Sequence, residues 1–196
     1  MNGRRGAIRR QTRETTVEVD LDLDGAGRYE INTGVPFLDH MLSHVAVHGM
    51  IDLTIHASGN TAVDDHHTVE DVGIALGQAL RAAVGDKRGI ARYGSQLLPM
   101  DEALALVALD FSGRGLCVFE ASFPTETVGR FDAQLVGEFA RALAVNAEMT
   151  LHIRLLCGTN SHHIAEAIFK TLGRALRQAV AFDPRQSDIP STKGVL

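Results

Sequence analysis

Between Thr15 and Asp24 the chain alternates without a break, with Val17, Val19, Leu21 and Leu23 on one face and Glu18, Asp20, Asp22 and Asp24 on the other. A period of two is the mark of a strand with one face on a core and one in water. Gly25-Ala26-Gly27 turns the chain back and a second strand is predicted over Arg28 to Asn32. Gly34-Val35-Pro36 then opens a helix in which Phe37, Met41, Leu42 and Val45 recur at helical spacing. A strand at Ile51 to His56, a polar loop rich in small residues and a long helix from His66 to near Gly85 follow, with Asp64 or Asp65 as the helix cap. The order then returns. Strands are predicted at Ala103 to Phe111 and Leu116 to Phe123, a helix around Asp132 to Asn146, a strand at Met149 to Leu156, and a last helix from His162. Each half reads β-β-α-β-α.

The return is a copy. Residues 66 to 84 (HHTVEDVGIALGQALRAAV) and 162 to 180 (HHIAEAIFKTLGRALRQAV) are identical at 10 of 19 aligned positions. The middle helix and following strand align at an offset of 98, which puts Leu53 on Leu151, Ile55 on Ile153 and His40 on Glu138. At the front of each half an offset of 88 pairs Leu21 with Leu109, Gly25 with Gly113 and Glu14 with Glu102. Duplication is the economical explanation. The expected fold is α+β, an α/β sandwich made of two halves, residues 1–94 and 95–196, in one compact subunit. A half with one covered sheet face leaves its other elements bare, so the halves are expected to pack together or against neighbours.

Composition narrows the function classes. With 196 residues, 45% hydrophobic and 22% charged, the chain is an ordinary globular protein. A net charge of -5 gives no general attraction to nucleic acid or anionic lipid, so neither is an expected partner. Arg4, Arg5, Arg9, Arg10 and Arg13 make the first segment locally basic and read as a solvated arm. No apolar stretch follows that segment and no run approaches a membrane span, so the expected location is cytoplasmic. Cys117 and Cys157 sit in strand-like apolar runs and read as small buried hydrophobes. Any metal chemistry therefore rests on His and carboxylate.

The copied helices both open on H-H-x-x-E, as His66-His67-Thr68-Val69-Glu70 and His162-His163-Ile164-Ala165-Glu166. On a helix the first His and the Glu share a face, while the second His is rotated about 100° from the first yet lies three residues from the Glu. Each helix can thus offer one His and its Glu to one metal and the other His to a second. Two metals drawing on both copies are the natural reading. His40 is a further ligand candidate, and the repeat sets Glu138 at the equivalent place. Nitrogen and oxygen donors without thiolate favour Mn, Fe or Zn. His56 and His152 stand alone and read as ordinary surface or core residues.

With these residues in view the chain resembles the imidazoleglycerol-phosphate dehydratase family of histidine biosynthesis over nearly its whole length. The resemblance is carried by Arg10-Gln11-Thr12-Arg13-Glu14-Thr15 and by Phe37-Leu38-Asp39-His40-Met41-Leu42 with His48-Gly49. It is carried further by Asp64-Asp65 running into the first pentad and Asp71, by the second pentad, and by Pro190-Ser191-Thr192-Lys193-Gly194. It implies a ribosomal protein S5 domain 2-like fold, two Mn²⁺ ions per active site, and 24 copies with sites at subunit interfaces. It also implies loss of water from D-erythro-imidazole glycerol phosphate to give imidazole acetol phosphate, with the imidazole ring held between metals as an imidazolate. Metal ligands would be His40, His66, His67, Glu70, Glu138, His162, His163 and Glu166. Glu14 would move the proton, His48 would contact or flank the substrate, and Arg92, Arg114, Lys170, Ser191 and Lys193 would hold the phosphate, partly from the C-terminal tail.

The chain departs from the pattern at Glu138, where many relatives carry His, and no role carries over to His44, Asp101 or Glu102. A binuclear phosphohydrolase would also want His, Glu and cations, and a metal-assembled protein without catalysis would need the pentads alone. Product formation from the imidazole substrate separates the first from the dehydratase. Loss of turnover on replacing Glu14, which lies outside both pentads, separates the second.

Overall fold

The alternating run is a strand, β2 (Thr15–Asp22), with Val17, Val19 and Leu21 buried. The computed structural model describes residues 3–59 and 63–196; part of the polar loop before the first pentad lies outside the described residues. The first half contains β1 (Arg5–Gln11), β2, β3 (Tyr29–Asn32), α1 (Pro36–Gly49), β4 (Asp52–Gly59) and α2 (His66–Val84). The second contains β5 (Tyr93–Met100), β6 (Ala103–Asp110), β7 (Leu116–Glu120), the short pair β8 (Thr127–Val128) and β9 (Phe131–Asp132), then α3 (Leu135–Asn146), β10 (Thr150–Cys157) and α4 (Ser161–Val180). Two four-stranded sheets result, ordered β1-β2-β4-β3 and β5-β6-β10-β7. In each the last pair is parallel and the others antiparallel. The duplicated α+β architecture is as the pattern predicts.

Each four-stranded sheet carries one strand more than the periodicity suggests, and the second half adds the short β8–β9 pair. The basic segment is not a solvated arm but β1, paired along its length with β2. Arg5 and Arg9 stand opposite Asp22 and Glu18 and form cross-strand ion pairs with them at 2.8 and 3.1 Å. Gly6, between them, lies so close to α2 that a Cβ would meet the Ala79 carbonyl. Its repeat counterpart Gly94 on β5 meets the Ala175 carbonyl of α4 in the same way. The long helices therefore lie directly on the first strands.

The helices also join the halves. α1 packs against α4 and α2 against α3, so each long helix is paired with the middle helix of the other half. A Cβ on Gly173 of α4 would come within 2.8 Å of the Val45 carbonyl on α1, and one on Gly77 of α2 within 2.7 Å of the Leu143 carbonyl on α3. Both pairs are parallel: Gly73 faces Phe139 one turn before Gly77 faces Leu143, and along α1 and α4 His40 faces Glu166 before Gly49 faces Gly173. Parallel pairing brings the first turns of the paired helices together, and the pentads sit in those turns.

Candidate active site

The second pentad is built first by its cap. Asn160 accepts the backbone N–H groups of His162 and His163 at 2.9 and 3.3 Å, which fixes the entry of α4. One turn in, Glu166 is almost wholly buried. Its Oε2 faces two imidazoles, His162 Nε2 at 3.2 Å and His40 Nε2 of α1 at 3.7 Å. Ligand atoms of His40, His162 and Glu166 all lie within 4.8 Å of one another, the span a single cation can bridge. The other oxygen, Oε1, accepts from Lys170 Nζ at 2.5 Å and lies 3.5 Å from His44 Nε2. Burial raises the Glu166 pKa, but the Lys170 hydrogen bond, the His44 and Lys170 charges and the His162 hydrogen bond together outweigh it and hold the carboxyl below its ordinary range. One oxygen is thus committed to support and the other is turned to the imidazoles.

His163 turns away from this cluster, as the divergence of adjacent helical residues requires. Its Nδ1 is 2.7 Å from Glu102 Oε2. The first pentad repeats the arrangement more loosely, with His67 Nδ1 at 3.3 Å from Glu14 Oε2 in the turn between β1 and β2. That turn is tied to α2 from beneath, because Asp71 takes an ion pair from Arg10 at 2.9 Å and a hydrogen bond from the Thr15 hydroxyl. His66 is preceded by Asp64, which accepts its backbone N–H at 3.0 Å, while Asp65 makes no side-chain cap. Glu138 does not copy His40. Arg141 of the same helix holds its carboxylate, and the repeat partner of Arg141 on α1 is Ser43. Among the described residues His66, Glu70 and Glu138 do not draw together into a ligand cluster, and no hydrogen bond or ion pair joins the two pentads.

The predicted phosphate residues separate into two places. Arg92, Arg114, Ser191 and Lys193 line one open pocket of about 880 Å³, together with Ser112 and the C-terminal tail. Arg92 is held there at both ends, bonded to Asp110 at 2.7 Å and 3.1 Å and to the Pro190 carbonyl at 2.7 Å, so it fixes the tail. Asp110, a residue without a motif signal, is what keeps that guanidinium oriented. Lys170 is elsewhere, on Glu166 and 3.3 Å from Met100 Sδ. His48 lies at the end of α1, its pKa lowered by burial and then by the charges of Lys170 and Arg174.

No sequence motif gives a role to His44, Asp71 or Glu102, and only the repeat pairing of Glu102 with Glu14 hints at one of them. Cys157 is exposed at the end of its strand rather than buried, whereas burial pushes the Cys117 thiol up to about 11.

Fold and site together define a duplicated α+β protein in which His and carboxylate side chains from opposite halves meet at paired helix ends. The chain belongs to the imidazoleglycerol-phosphate dehydratase family, whose model matches residues 33–176. It is 58% identical to the imidazoleglycerol-phosphate dehydratase of Desulforamulus reducens over 196 residues, all of both chains. It is 61% identical to that of Roseobacter denitrificans over 191 residues, 97% of this chain and 98% of the relative. The crystal structure of the Staphylococcus aureus enzyme superposes with a TM-score of 0.83 at 42% identity, covering 91% of this chain and 99% of that one. The Pyrococcus furiosus enzyme gives 0.84 at 38% identity, covering 96% and 100%.

Proposed function

We propose that this chain dehydrates imidazole glycerol phosphate to imidazole acetol phosphate in histidine biosynthesis, in the cytoplasm, using two Mn²⁺ ions per site. The observation that carries the reading is the convergence of His40, His162 and Glu166 from opposite halves on one point. The donor set fits a divalent cation of the Mn, Fe or Zn kind: two imidazoles, a buried carboxylate with one oxygen free of the lysine, and no thiolate. His66, Glu70 and Glu138 would serve a second ion, with His67 and His163, which diverge from their own clusters, reaching ions of neighbouring copies. Bound there, the cations supply Lewis acidity for the departing hydroxyl and hold the substrate's imidazole.

The remaining work falls to side chains. The hydrogen that leaves is on a carbon with no adjacent carbonyl, so its removal needs a base held at the reacting carbon. Glu14 suits that role. Its carboxylate is exposed and, among the described residues, accepts no hydrogen bond, while Asp71 and Thr15 hold the turn that carries it. Arg114, Ser191 and Lys193, on the pocket that Arg92 ties together, would grip the phosphate. Lys170 keeps the Glu166 carboxylate ionised and supports the site from behind.

Within one chain the Glu14–His67 pair and the His40–His162–Glu166 cluster are not bonded to one another, which favours sites completed between copies. Exposed Tyr29, Tyr93, Leu97, Leu116, Leu156 and Phe182 supply apolar surface for such contacts, in an assembly of 24. Residues 1–94 and 95–196 then work as one unit, since the cluster draws on both. Replacing Glu14 with Gln should lower turnover about 10²- to 10⁴-fold with metal content and assembly intact. Turnover that survived the change would contradict the assignment.

A further inference from the structure

We propose that Glu102 is a positioning residue that fixes the tautomer and ring orientation of His163, so that Nε2 is presented as a lone-pair donor for metal. The inference rests on the reading of His163 as a ligand. Glu102 is the repeat counterpart of Glu14, yet the two carboxylates are held to different degrees. Among the described residues the Glu14 carboxylate meets only His67, at 3.3 Å. Glu102 is locked: its Oε1 accepts the backbone N–H groups of Thr159 at 3.1 Å and Asn160 at 2.8 Å and the Thr159 hydroxyl at 3.4 Å. Its Oε2 is 2.7 Å from His163 Nδ1.

A carboxylate can only accept, so Nδ1 must donate, and in the neutral ring Nε2 then carries the lone pair. The nearest acid to Nε2 is Asp101 Oδ2 at 3.8 Å, beyond hydrogen-bond reach. Nε2 is therefore free to ligate. The same carboxylate ties down the loop that delivers Asn160, the residue that caps His162 and His163, so one side chain sets both the backbone and the ring. A carboxylate behind a ligating imidazole is the arrangement that orients metal-bound histidines and makes them more basic.

Glu102→Gln separates the two duties. The amide oxygen can stay on the three donors of the loop, which leaves the NH₂ facing His163 Nδ1. The opposite amide orientation would set NH₂ against those donors. Nδ1 must then accept, and the proton moves to Nε2. ¹⁵N NMR of the histidine rings in metal-free protein at alkaline pH should find His163 protonated on Nδ1 in the unaltered chain and on Nε2 in the variant. Equilibrium dialysis with Mn²⁺ should show one class of site weakened about 10- to 100-fold in the variant. Observation of the Nε2–H tautomer in the unaltered protein would overturn the proposal, and that measurement stands even if the variant fails to fold. So would a folded variant with an unchanged ring or with unchanged Mn²⁺ affinity. Failure of the unaltered protein to take up Mn²⁺ would instead overturn the metal reading beneath it.

Discussion

His44 lies where the family pattern assigns nothing, and its surroundings are unusual. Its Nε2 is buried without a hydrogen-bond partner among the described residues, 3.5 Å from Glu166 Oε1, and its ring packs edge-on against His40. Burial takes its pKa from 6.5 down to about 4, against the pull of Glu166 and with help from His40 and Lys170. In an unfolded chain the ring protonates near 6.5. Above that pH both states hold it neutral and nothing is gained or lost. As pH falls from 6.5 toward 4 the unfolded chain takes a proton that the native ring refuses, and stability declines. His44→Gln removes the titration. Denaturant unfolding of the metal-free protein should show the unaltered chain losing on the order of 1 to 2 kcal/mol relative to the variant across that interval, the ring being only partly shielded from solvent. Parallel pH profiles would contradict the role of burial.

At the scale of elements, the long helices were legible because their apolar period and the copied pentads coincide, and β2 because its alternation is strict. β1 was not. A run of arginines reads as solvated when its partners are unknown, and only the register with β2 sets Arg5 and Arg9 across from Asp22 and Glu18. The exchange of helices was equally hidden, since it rests on glycines that matter through backbones far off in sequence. Gly173 is the clearest, with the Val45 carbonyl 2.8 Å and the Gly49 nitrogen 3.1 Å from where a Cβ would lie. Gly173→Ala should force α4 off α1 and cost about 1–3 kcal/mol. A chain of this length should then melt several degrees lower, at about 2–4 °C per kcal/mol. Because α1 carries His40 and α4 carries His162 and Glu166, Mn²⁺ affinity should fall with it. A variant with unchanged melting and affinity would mean that the close approach is not a constraint.

For the whole molecule, three of the ligand candidates read from the sequence, His40, His162 and Glu166, come together, and their meeting place was not legible. Adjacent histidines predicted divergence, and the structure has it: His162 turns to Glu166 while His163 turns to Glu102. What spacing could not show is that α4 meets α1, so the compact cluster joins His40 to the second pentad, and that Arg141 draws Glu138 aside. A site shared among copies would tie assembly to metal. Imidazoles must be neutral to ligate, so lowering pH through the histidine range should release Mn²⁺ and reduce the particle size seen by light scattering. An assembly indifferent to chelation at low pH would sever that link.

Turnover tests the dehydration most directly. Purified protein stripped of metal, then supplied with Mn²⁺ and imidazole glycerol phosphate, should form imidazole acetol phosphate, and chelation should stop it. Metal-loaded, folded protein that forms no such keto product, or that instead releases inorganic phosphate, would rule the dehydration out.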